Sequence, residues 1–323
     1  MNRRDTVLGL LALGAGPLLT EARQARKVPK IGFLFAGTLA QRPQVEGFFQ
    51  GLKALGYIED QNITIERREA EGKTERLPQL AQELAALQPD VIVAVTTPAA
   101  AAAQKATRTI PIVILVIPDP VGSGFVQSLA RPGGNITGTS NNSIEVSRKR
   151  VQLLKEIIPS LSRVAVLWNP LNPGSATVAK ETELGAVALG IKVEFLGYNG
   201  PNELQVALTK ATRAQAVLIM GDFVAFDRRE WIAGFAVAHR LPVFSTWPEE
   251  AQDGSLAAYG PSLREEYRRG AAYVDKILRG AKPAELPIEE PTKYELTINI
   301  KTAEALGIKI PQSLLIRADR VIE

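Results

Sequence analysis

The chain has 323 residues, of which 46% are hydrophobic and 22% are charged, and its formal net charge is +4. A chain of this length usually forms about two domains. Because no run is rich in Lys or Arg, the small positive charge indicates an ordinary solvated surface and argues against a nucleic-acid binder. The chain has no cysteine. This excludes disulfides, thiol nucleophiles, iron–sulfur clusters and the usual structural zinc sites.

The single histidine, His239, comes where a helical pattern ends ahead of an apolar run at 242–245. A histidine at a helix C-terminus most often caps the helix. Any Ser-His-Asp triad would depend on this one residue. His, Asp and Glu do not cluster with the spacing of metal ligands, so we expect no metal site.

Two short motifs resemble nucleotide-binding loops but lack a required glycine. Gly72-Lys73-Thr74 has Arg67 where a phosphate loop needs its first glycine. Gly122-Ser123-Gly124 has Gln127 where a dinucleotide fingerprint needs its third. We therefore expect a protein that is not an enzyme and that needs no cofactor.

Residues 1–26 have the pattern of an export signal. Arg3 and Arg4 precede a short apolar stretch, Val7–Leu19, which is too short to span a bilayer comfortably. The paired arginines resemble a twin-arginine signal, although their neighbours match that motif poorly; an ordinary buried helix is the alternative. Without cysteine a lipid anchor is excluded. We expect the mature protein to be periplasmic.

From Lys30 onward, short β-rich apolar runs alternate with amphipathic helical patterns. This alternation predicts α/β architecture, with doubly wound parallel sheets covered by helices on both faces. The runs form two series of four, which indicates two similar lobes. The predicted strands are Ile31–Phe35, Ile63–Arg67, Val91–Val95, Ile112–Val116, Val164–Leu167, Val193–Leu196, Ala216–Met220 and Pro242–Ser245.

A Gly- and Pro-rich turn, Arg131–Gly138, separates the two series and is the predicted first crossing between the lobes. Later, Ser262-Leu263-Arg264-Glu265 has the pattern of a capping box that opens a helix ending near Arg279. A strand at Tyr294–Ile300 and a short helix at Thr302–Leu306 follow. Because this helix and strand follow two complete lobes, we predict that the chain passes between the lobes again. The several connecting segments together would form a multi-strand hinge.

The predicted division is therefore discontinuous along the chain. Lobe 1 comprises residues 27–139 plus about 261–283, and lobe 2 comprises residues 140–260 plus about 284–323.

Ligands of open parallel sheets bind beyond the carboxyl ends of the strands. Here those positions repeat a cap residue followed by proline, as in Thr97-Pro98, Asp119-Pro120 and Asn172-Pro173. Each pair alone is ordinary helix-start chemistry. Thr96 and Thr97, followed by small alanines, offer hydroxyls and free amides that suit a carboxylate.

Acidic, amide and aromatic residues follow other strands. Asp119 and Asp222 could each pair with an ammonium group or act as a cap, and Trp168 could form an apolar wall or ordinary core. Such a site suits a zwitterion such as an amino acid. The candidate ligand-binding residues are Thr96, Thr97, Asp119, Gly37, Thr38, Asn141, Trp168, Asn169, Asp222, Thr246 and Tyr259.

The run from Ile117-Pro118-Asp119-Pro120-Val121-Gly122 to Arg131-Pro132-Gly133-Gly134-Asn135-Ile136-Thr137-Gly138 resembles a bacterial family. That family comprises the ABC transporter substrate-binding proteins with the type 1 periplasmic binding fold, including tryptophan- and tyrosine-binding types. Tyr259-Gly260-Pro261-Ser262 and Pro291-Thr292-Lys293-Tyr294-Glu295-Leu296 are also similar. Ile117-Pro118 departs from the family, in which small polar residues often precede Asp-Pro.

The resemblance implies that two lobes close around a solute, with contacts near Thr96, Thr97 and Asp119, and deliver it to an inner-membrane permease driven by an ATPase subunit. We expect a monomer that binds no nucleic acid. The alternative is a sensor that presents the solute to a chemoreceptor or sensor kinase. A LacI-like repressor shares the architecture but needs a helix-turn-helix, where this chain has an export signal.

Overall fold

The structure, a computed structural model, describes residues 28–323; the predicted export signal lies outside the described residues. Over this range the chain forms two sheets. No helix of the described range is long and apolar enough to cross a membrane. The strands are β1 (Lys30–Phe35), β2 (Thr64–Glu69), β3 (Val91–Val95), β4 (Ile112–Ile117), β5 (Ile136–Ser140), β6 (Arg163–Trp168), β7 (Lys192–Gly197), β8 (Ala216–Ile219), β9 (Val243–Ser245), β10 (Ala257–Gly260), β11 (Glu295–Asn299) and β12 (Arg320–Ile322).

The helices mostly occupy the segments between strands, as the alternating pattern predicts. They are α1 (Glu46–Ala54), α2 (Leu77–Ala86), α3 (Thr97–Ala106), α4 (Ser143–Ile157), α5 (Ser175–Ala188), α6 (Pro201–Ala211), α7 (Phe223–Asp227), α8 (Arg229–Ala238), α9 (Pro248–Gln252), α10 (Leu263–Leu278), α11 (Ile300–Ala305) and α12 (Gln312–Arg317).

The first sheet has the order β2-β1-β3-β4-β5, and all of its neighbouring strands are parallel. Its central strands are continuous apolar runs that are buried along their whole length, as expected when helices cover both faces. Side chains of α2 and α3 pack on one face, and those of α1 and α10 on the other. We call this sheet with these helices the first lobe.

The second sheet has the order β12-β11-β10-β9-β8-β6-β7, and only the β10–β11 pair is antiparallel. Side chains of α6 to α8 pack on one face of this sheet, and those of α4 and α5 on the other. We call this assembly the second lobe. All eight strands predicted in the two series are confirmed, and so is the strand near Tyr294. Strands β5, β10 and β12 were not predicted.

The predicted first crossing at Arg131–Gly138 is wrong by several residues. This turn stays with the first lobe, where Asn135 Nδ2 donates to Ile110 O at 2.8 Å, and its last residues begin β5. Gly138 has a φ of +140°, and a Cβ there would lie 2.1 Å from Ile114 O. The glycine is therefore required for the close approach of β5 to β4. The chain leaves this lobe only after β5, near Asn141.

Segment 284–289 also contacts the first lobe, although we predicted that lobe 2 begins at about 284. Ile288 N donates to Leu129 O at 2.7 Å, Glu289 N donates to Gly138 O at 3.1 Å, and Ser140 N donates to Glu289 O at 2.9 Å. The segment thus extends the edge of the first sheet beside β5 before the chain returns to the second sheet as β11.

Two predicted helix ends have different outcomes. His239 follows α8 as its C-terminal cap, with Nδ1 2.8 Å from Phe235 O. Ser262 is the N-cap of α10, but the predicted capping box does not form. Its hydroxyl and the Leu263 amide instead both donate to Glu249 Oε1 of α9, at 3.1 and 2.9 Å. A second-lobe carboxylate thus caps the helix that completes the first lobe.

Candidate ligand-binding cleft

Loops at the carboxyl ends of the strands bring the two lobes into contact. A Cβ built on Gly174, in the loop after β6, would lie 2.5 Å from Pro118 Cγ and 3.6 Å from Thr97 Oγ1 in the first lobe. One apolar cluster continues from the α2–α3 face of the first sheet to the α6–α8 face of the second. The structure is therefore a closed arrangement in which the two sets of strand ends face each other.

On the first-lobe side, Thr96 and Thr97 begin α3. Thr97 is 1% exposed, and both hydroxyls are buried with no hydrogen-bond partner among the described residues. The first amides of a helix also lack partners within the helix. This end of α3 therefore concentrates donors that a ligand carboxylate could satisfy.

The backbone around these residues is strained. Thr96 has φ 81° and ψ 154°, a region that β-branched residues avoid. Its amide donates to Leu115 O at 3.0 Å. Beside it, Val116 has φ 61°, and the pairing of β4 with β5 shifts register between Ile114 and Ile117. Two residues with positive φ thus lie close together, Thr96 just after β3 and Val116 in the neighbouring β4, at the edge of the sheet that faces the cleft.

On the second-lobe side, Asp222 caps α7 and is 4% exposed. Its Oδ1 accepts from Val224 N at 2.9 Å, and its Oδ2 accepts from Asn169 Nδ2 at 3.2 Å. Asn169 is itself oriented by accepting the Leu171 amide at 3.0 Å. The buried phenol of Tyr198 lies near this carboxylate, but its hydroxyl forms no hydrogen bond of acceptable geometry.

The electrostatics of this group indicate an incompletely compensated charge. Burial raises the pKa of Asp222 to about 6, although the Val224 amide, the Asn169 amide and the Arg42 charge oppose the shift. Burial and the nearby Asp222 charge also raise the pKa of Tyr198 well above its usual value. A cationic group near Asp222 would stabilise its ionised form.

A cavity of about 580 Å³ lies between the two lobes, and residues from both lobes line it. The first lobe contributes residues that follow β1 and β2, and the second contributes residues from α6, α7 and α8. The lining residues are Thr38, Glu71, Gly72, Pro201, Phe223, Val224, Asp227, Arg228, Arg229, Glu230 and Trp231.

Three predicted residues have side-chain polar groups engaged by hydrogen bonds to nearby backbone, and a fourth, Gly37, lies against the second lobe. Asp119 Oδ1 accepts the Gly122 amide at 2.7 Å, and Thr246 donates its hydroxyl to Ile219 O at 3.0 Å. The Asn141 side chain accepts the Ser143 amide at 3.2 Å where the chain crosses to α4. Gly37 follows β1, where an added Cβ would lie 3.0 Å from Asp227 Oδ2 of the second lobe.

The two predicted aromatic walls face away from the cleft. The Trp168 ring packs 5.9 Å from that of Phe195, and the Tyr259 ring packs 6.1 Å from that of Tyr294. Both belong to the apolar cluster on the α4–α5 face. The structure thus brings Thr96, Thr97, Asn169, Asp222, Gly37 and Thr38 to the facing loops of the two lobes.

Sequence reasoning missed Tyr198 and Arg42. Tyr198 follows β7, so the rule that ligands bind at strand ends could have identified it. Arg42 lies in a turn without periodic pattern and is 4% exposed, although an arginine is seldom buried unless it is paired. Among the described residues no group of His, Asp and Glu could hold a metal ion.

Several known proteins are similar to the chain. A tyrosine-binding protein of Clostridioides difficile is 25% identical over 277 residues, which are 84% of this chain and 79% of that protein. A conserved domain protein of Vibrio cholerae is 31% identical, with a TM-score of 0.87, and the match covers 91% of this chain and all of that one.

Two further structures differ in ligand state at nearly equal identity. An ABC domain in complex with L-Trp from Streptococcus pneumonia is 27% identical with a TM-score of 0.84, covering 91% of this chain and 99% of that chain. A ligand-free, open substrate-binding protein from Clostridium difficile is 26% identical with a TM-score of 0.64, covering 92% and 99%. The present structure is therefore closer in shape to the ligand-bound protein.

The pattern that defines one family, described as ABC transporter substrate binding protein, matches residues 38–322. The match includes nearly all of both lobes. This family consists of substrate-binding proteins rather than enzymes, in agreement with the absence of nucleotide loops and cysteine nucleophiles. The chain belongs to the ABC transporter substrate binding protein family.

Proposed function

We propose that the chain captures a free amino acid between its two lobes and delivers it to the permease of an ABC importer. The observation that carries the proposal is a pair of complementary polar groups on facing lobes. Buried hydroxyls without partners begin α3 in the first lobe, and a buried carboxylate with a raised pKa begins α7 in the second.

The two groups suit the two charges of a zwitterion. The ligand carboxylate would accept hydrogen bonds from the Thr96 and Thr97 hydroxyls and from the free amides of α3. The ligand ammonium would pair with Asp222, which Asn169 orients. Each group is costly to bury alone, and the ligand would lower that cost for both.

The names of two relatives support an amino acid as the ligand. One relative is called a tyrosine-binding protein, and one similar structure contains L-Trp. The cavity of about 580 Å³ between the lobes is lined by Phe223 and Val224, next to Asp222, but not by Thr97 or Asp222, so the proposal rests on the polar groups and not on this cavity.

Binding would act by shifting a population rather than by chemistry. A ligand that contacts both lobes stabilises their closed arrangement, and the permease would recognise that arrangement. The family description favours this transport role over presentation to a sensor. In this proposal the mature chain acts in the periplasm as a monomer, and residues 1–26 direct its export.

Isothermal titration calorimetry tests the proposal directly. The mature protein would be unfolded, freed of bound solute by dialysis, refolded and titrated with each of the twenty amino acids. We expect at least one to bind, and we expect Thr97→Val and Asp222→Asn each to weaken that binding by about 1–3 kcal/mol. The exposed Thr177→Val serves as a control. Absence of heat with every amino acid would refute the ligand class.

A further inference from the structure

Arg42 crosses from one lobe to the other. It lies in the turn after β1 of the first lobe, between two short 3₁₀ turns, and is 4% exposed. Its Nη2 donates to Phe223 O at 2.8 Å and forms an ion pair with Asp227 Oδ1 at 2.8 Å. Both acceptors belong to α7 of the second lobe, so one guanidinium holds both ends of that short helix.

The guanidinium is also stacked by an aromatic ring from each lobe. Its carbon lies 4.8 Å from the centre of the Phe35 ring and 4.9 Å from that of Phe226. A planar guanidinium is suited to such stacking and loses less hydration on burial than an ammonium group does. The contact therefore needs the arginine itself and the closed arrangement of the lobes.

The helix that Arg42 holds is the one that Asp222 caps. Asp222 lies directly before α7, and Arg42 contacts the first and the last residue of α7. Any movement of α7 away from the first lobe would carry Asp222 with it. Through α7, the contacts of Arg42 between the lobes are thus linked to Asp222, the carboxylate proposed to bind the ligand ammonium.

We propose that Arg42 is a positioning residue that fixes α7 and Asp222 against the first lobe and raises the closed population before any ligand binds. Its effect on affinity rests on the proposed function, whereas its effect on closure does not. Opening would return both charges of the ion pair to water. The desolvation cost of a buried pair offsets most of its attraction, so the ion pair alone does not lock the lobes. The added bond to Phe223 O and the two stacked rings then favour closure by a modest, reversible amount.

The charges that face this pair support the assignment. Arg228 and Arg229 also lie near Asp227, and burial still raises the pKa of that carboxyl despite the three arginines. Arg229 itself forms an ion pair with Asp253 at 2.5 Å, and its guanidinium carbon lies 4.5 Å from the centre of the Phe226 ring. Arg229 is thus held within the second lobe, and of these arginines Arg42 makes the bond to the first lobe.

Closure can be measured without ligand, because the absence of cysteine allows two dyes to be placed specifically. Cysteines at the exposed positions Lys105 in α3 and Lys180 in α5 would report the distance between lobes by energy transfer. We expect Arg42→Met and Asp227→Asn each to lower the ratio of closed to open ligand-free protein by about 5- to 50-fold. Arg317→Met, which removes an exposed ion pair within the second lobe, should leave the ratio unchanged.

The double variant and the ligand titration complete the test. The Arg42→Met and Asp227→Asn effects should not add, since both remove the same bond, and amino-acid affinity should fall in parallel with the closed population. If Arg42→Met fails to fold, Arg42→Lys and Asp227→Asn give the same readout. An unchanged closed population in both foldable variants would overturn the inference. Absence of amino-acid binding would refute the proposed function alone, since the ligand-free closure measurement does not depend on it.

Discussion

Gly174 of the second lobe lies so close to Pro118 of the first that an added Cβ would fall 2.5 Å from Pro118 Cγ. Pro118 directly follows β4 of the first lobe. The pyrrolidine ring cannot rotate out of the way as a flexible side chain would. The closed arrangement therefore depends on the lack of a side chain at position 174.

This contact predicts that Gly174→Ala weakens ligand binding by opposing closure. We expect the closed population and the amino-acid affinity to fall by about tenfold or more, because a clash of this size costs on the order of 1–3 kcal/mol. Thermal stability should change little, since the substitution removes no buried apolar side chain. Gly234→Ala is the matched control, because an added Cβ there has no neighbour within 4 Å. Equal affinities of the two variants would contradict the prediction.

Relief of backbone strain predicts a variant that gains stability and loses affinity. Thr96 adopts φ 81°, which glycine tolerates without strain. Thr96→Gly should raise the free energy of unfolding by about 1 kcal/mol while it removes one of the two hydroxyls proposed to bind carboxylate. Denaturant unfolding and calorimetry on the same sample check both effects. Thr96→Ala separates them, since it removes the hydroxyl but keeps the strain.

The raised pKa of Asp222 predicts how binding depends on pH. Its carboxyl titrates at about 6, and only the ionised form can pair with a ligand ammonium. Affinity should therefore be constant above pH 7 and fall by at most about tenfold per pH unit below 6. Asp222→Asn should bind weakly with a flat profile between pH 5 and 7. A wild-type profile that is flat over this window would show that Asp222 does not pair with the ligand.

Glu250 predicts a pH dependence of folding. It is 2% exposed and accepts from the Thr246 and Trp247 amides at 3.1 and 2.9 Å. Burial, with a contribution from neighbouring Glu249, raises its pKa from 4.5 to about 7. Between these values the folded state binds the proton and the unfolded state does not. Stability from this group is therefore fully present below pH 4.5 and is lost as pH rises to 7, by at most about 1.4 kcal/mol per pH unit.

Glu250→Gln should accordingly flatten the stability profile between pH 5 and 8 and make the protein more stable than wild type at pH 8. Its amide oxygen can still accept the two backbone bonds. Chemical denaturation at several pH values measures the slope, and the exposed Glu304→Gln should keep the wild-type slope. An identical slope in Glu250→Gln and wild type would contradict the prediction.

The fold was predictable because burial on both faces produces continuous apolar runs such as Val91–Val95, which periodicity detects. Strands β5, β10 and β12 were missed because small or polar residues interrupt their apolar runs; they are Ile136–Ser140, Ala257–Gly260 and Arg320–Ile322. The crossing was misplaced because the glycines of Arg131–Gly138 resemble a hinge, although Gly138 instead serves strand pairing. The β4 bulge at Val116 gives no signal in composition.

The site was only partly predictable, because sequence position gives the location of a residue but not its contacts. Position after a strand end correctly brought Thr97 and Asp222 to facing loops, but position alone does not set the direction of a side chain. Alternation along β6 turns Leu167 toward one face and Trp168 toward the other, where Trp168 packs against Phe195. Arg42 could not be found, since its contacts join segments that are far apart in sequence.

The return of α10 to the first sheet determines when that sheet can be completed during synthesis. All five strands have been synthesised by Ser140, but Tyr267, Ala271 and Val274, which cover one face of these strands, follow only after β6 to β10 of the second lobe. A nascent chain ending before Leu263 would expose β3 and β4, whose uncharged apolar runs are prone to pair with other chains. The first sheet, whose strands are made first, is therefore covered only after five strands of the second sheet have been synthesised.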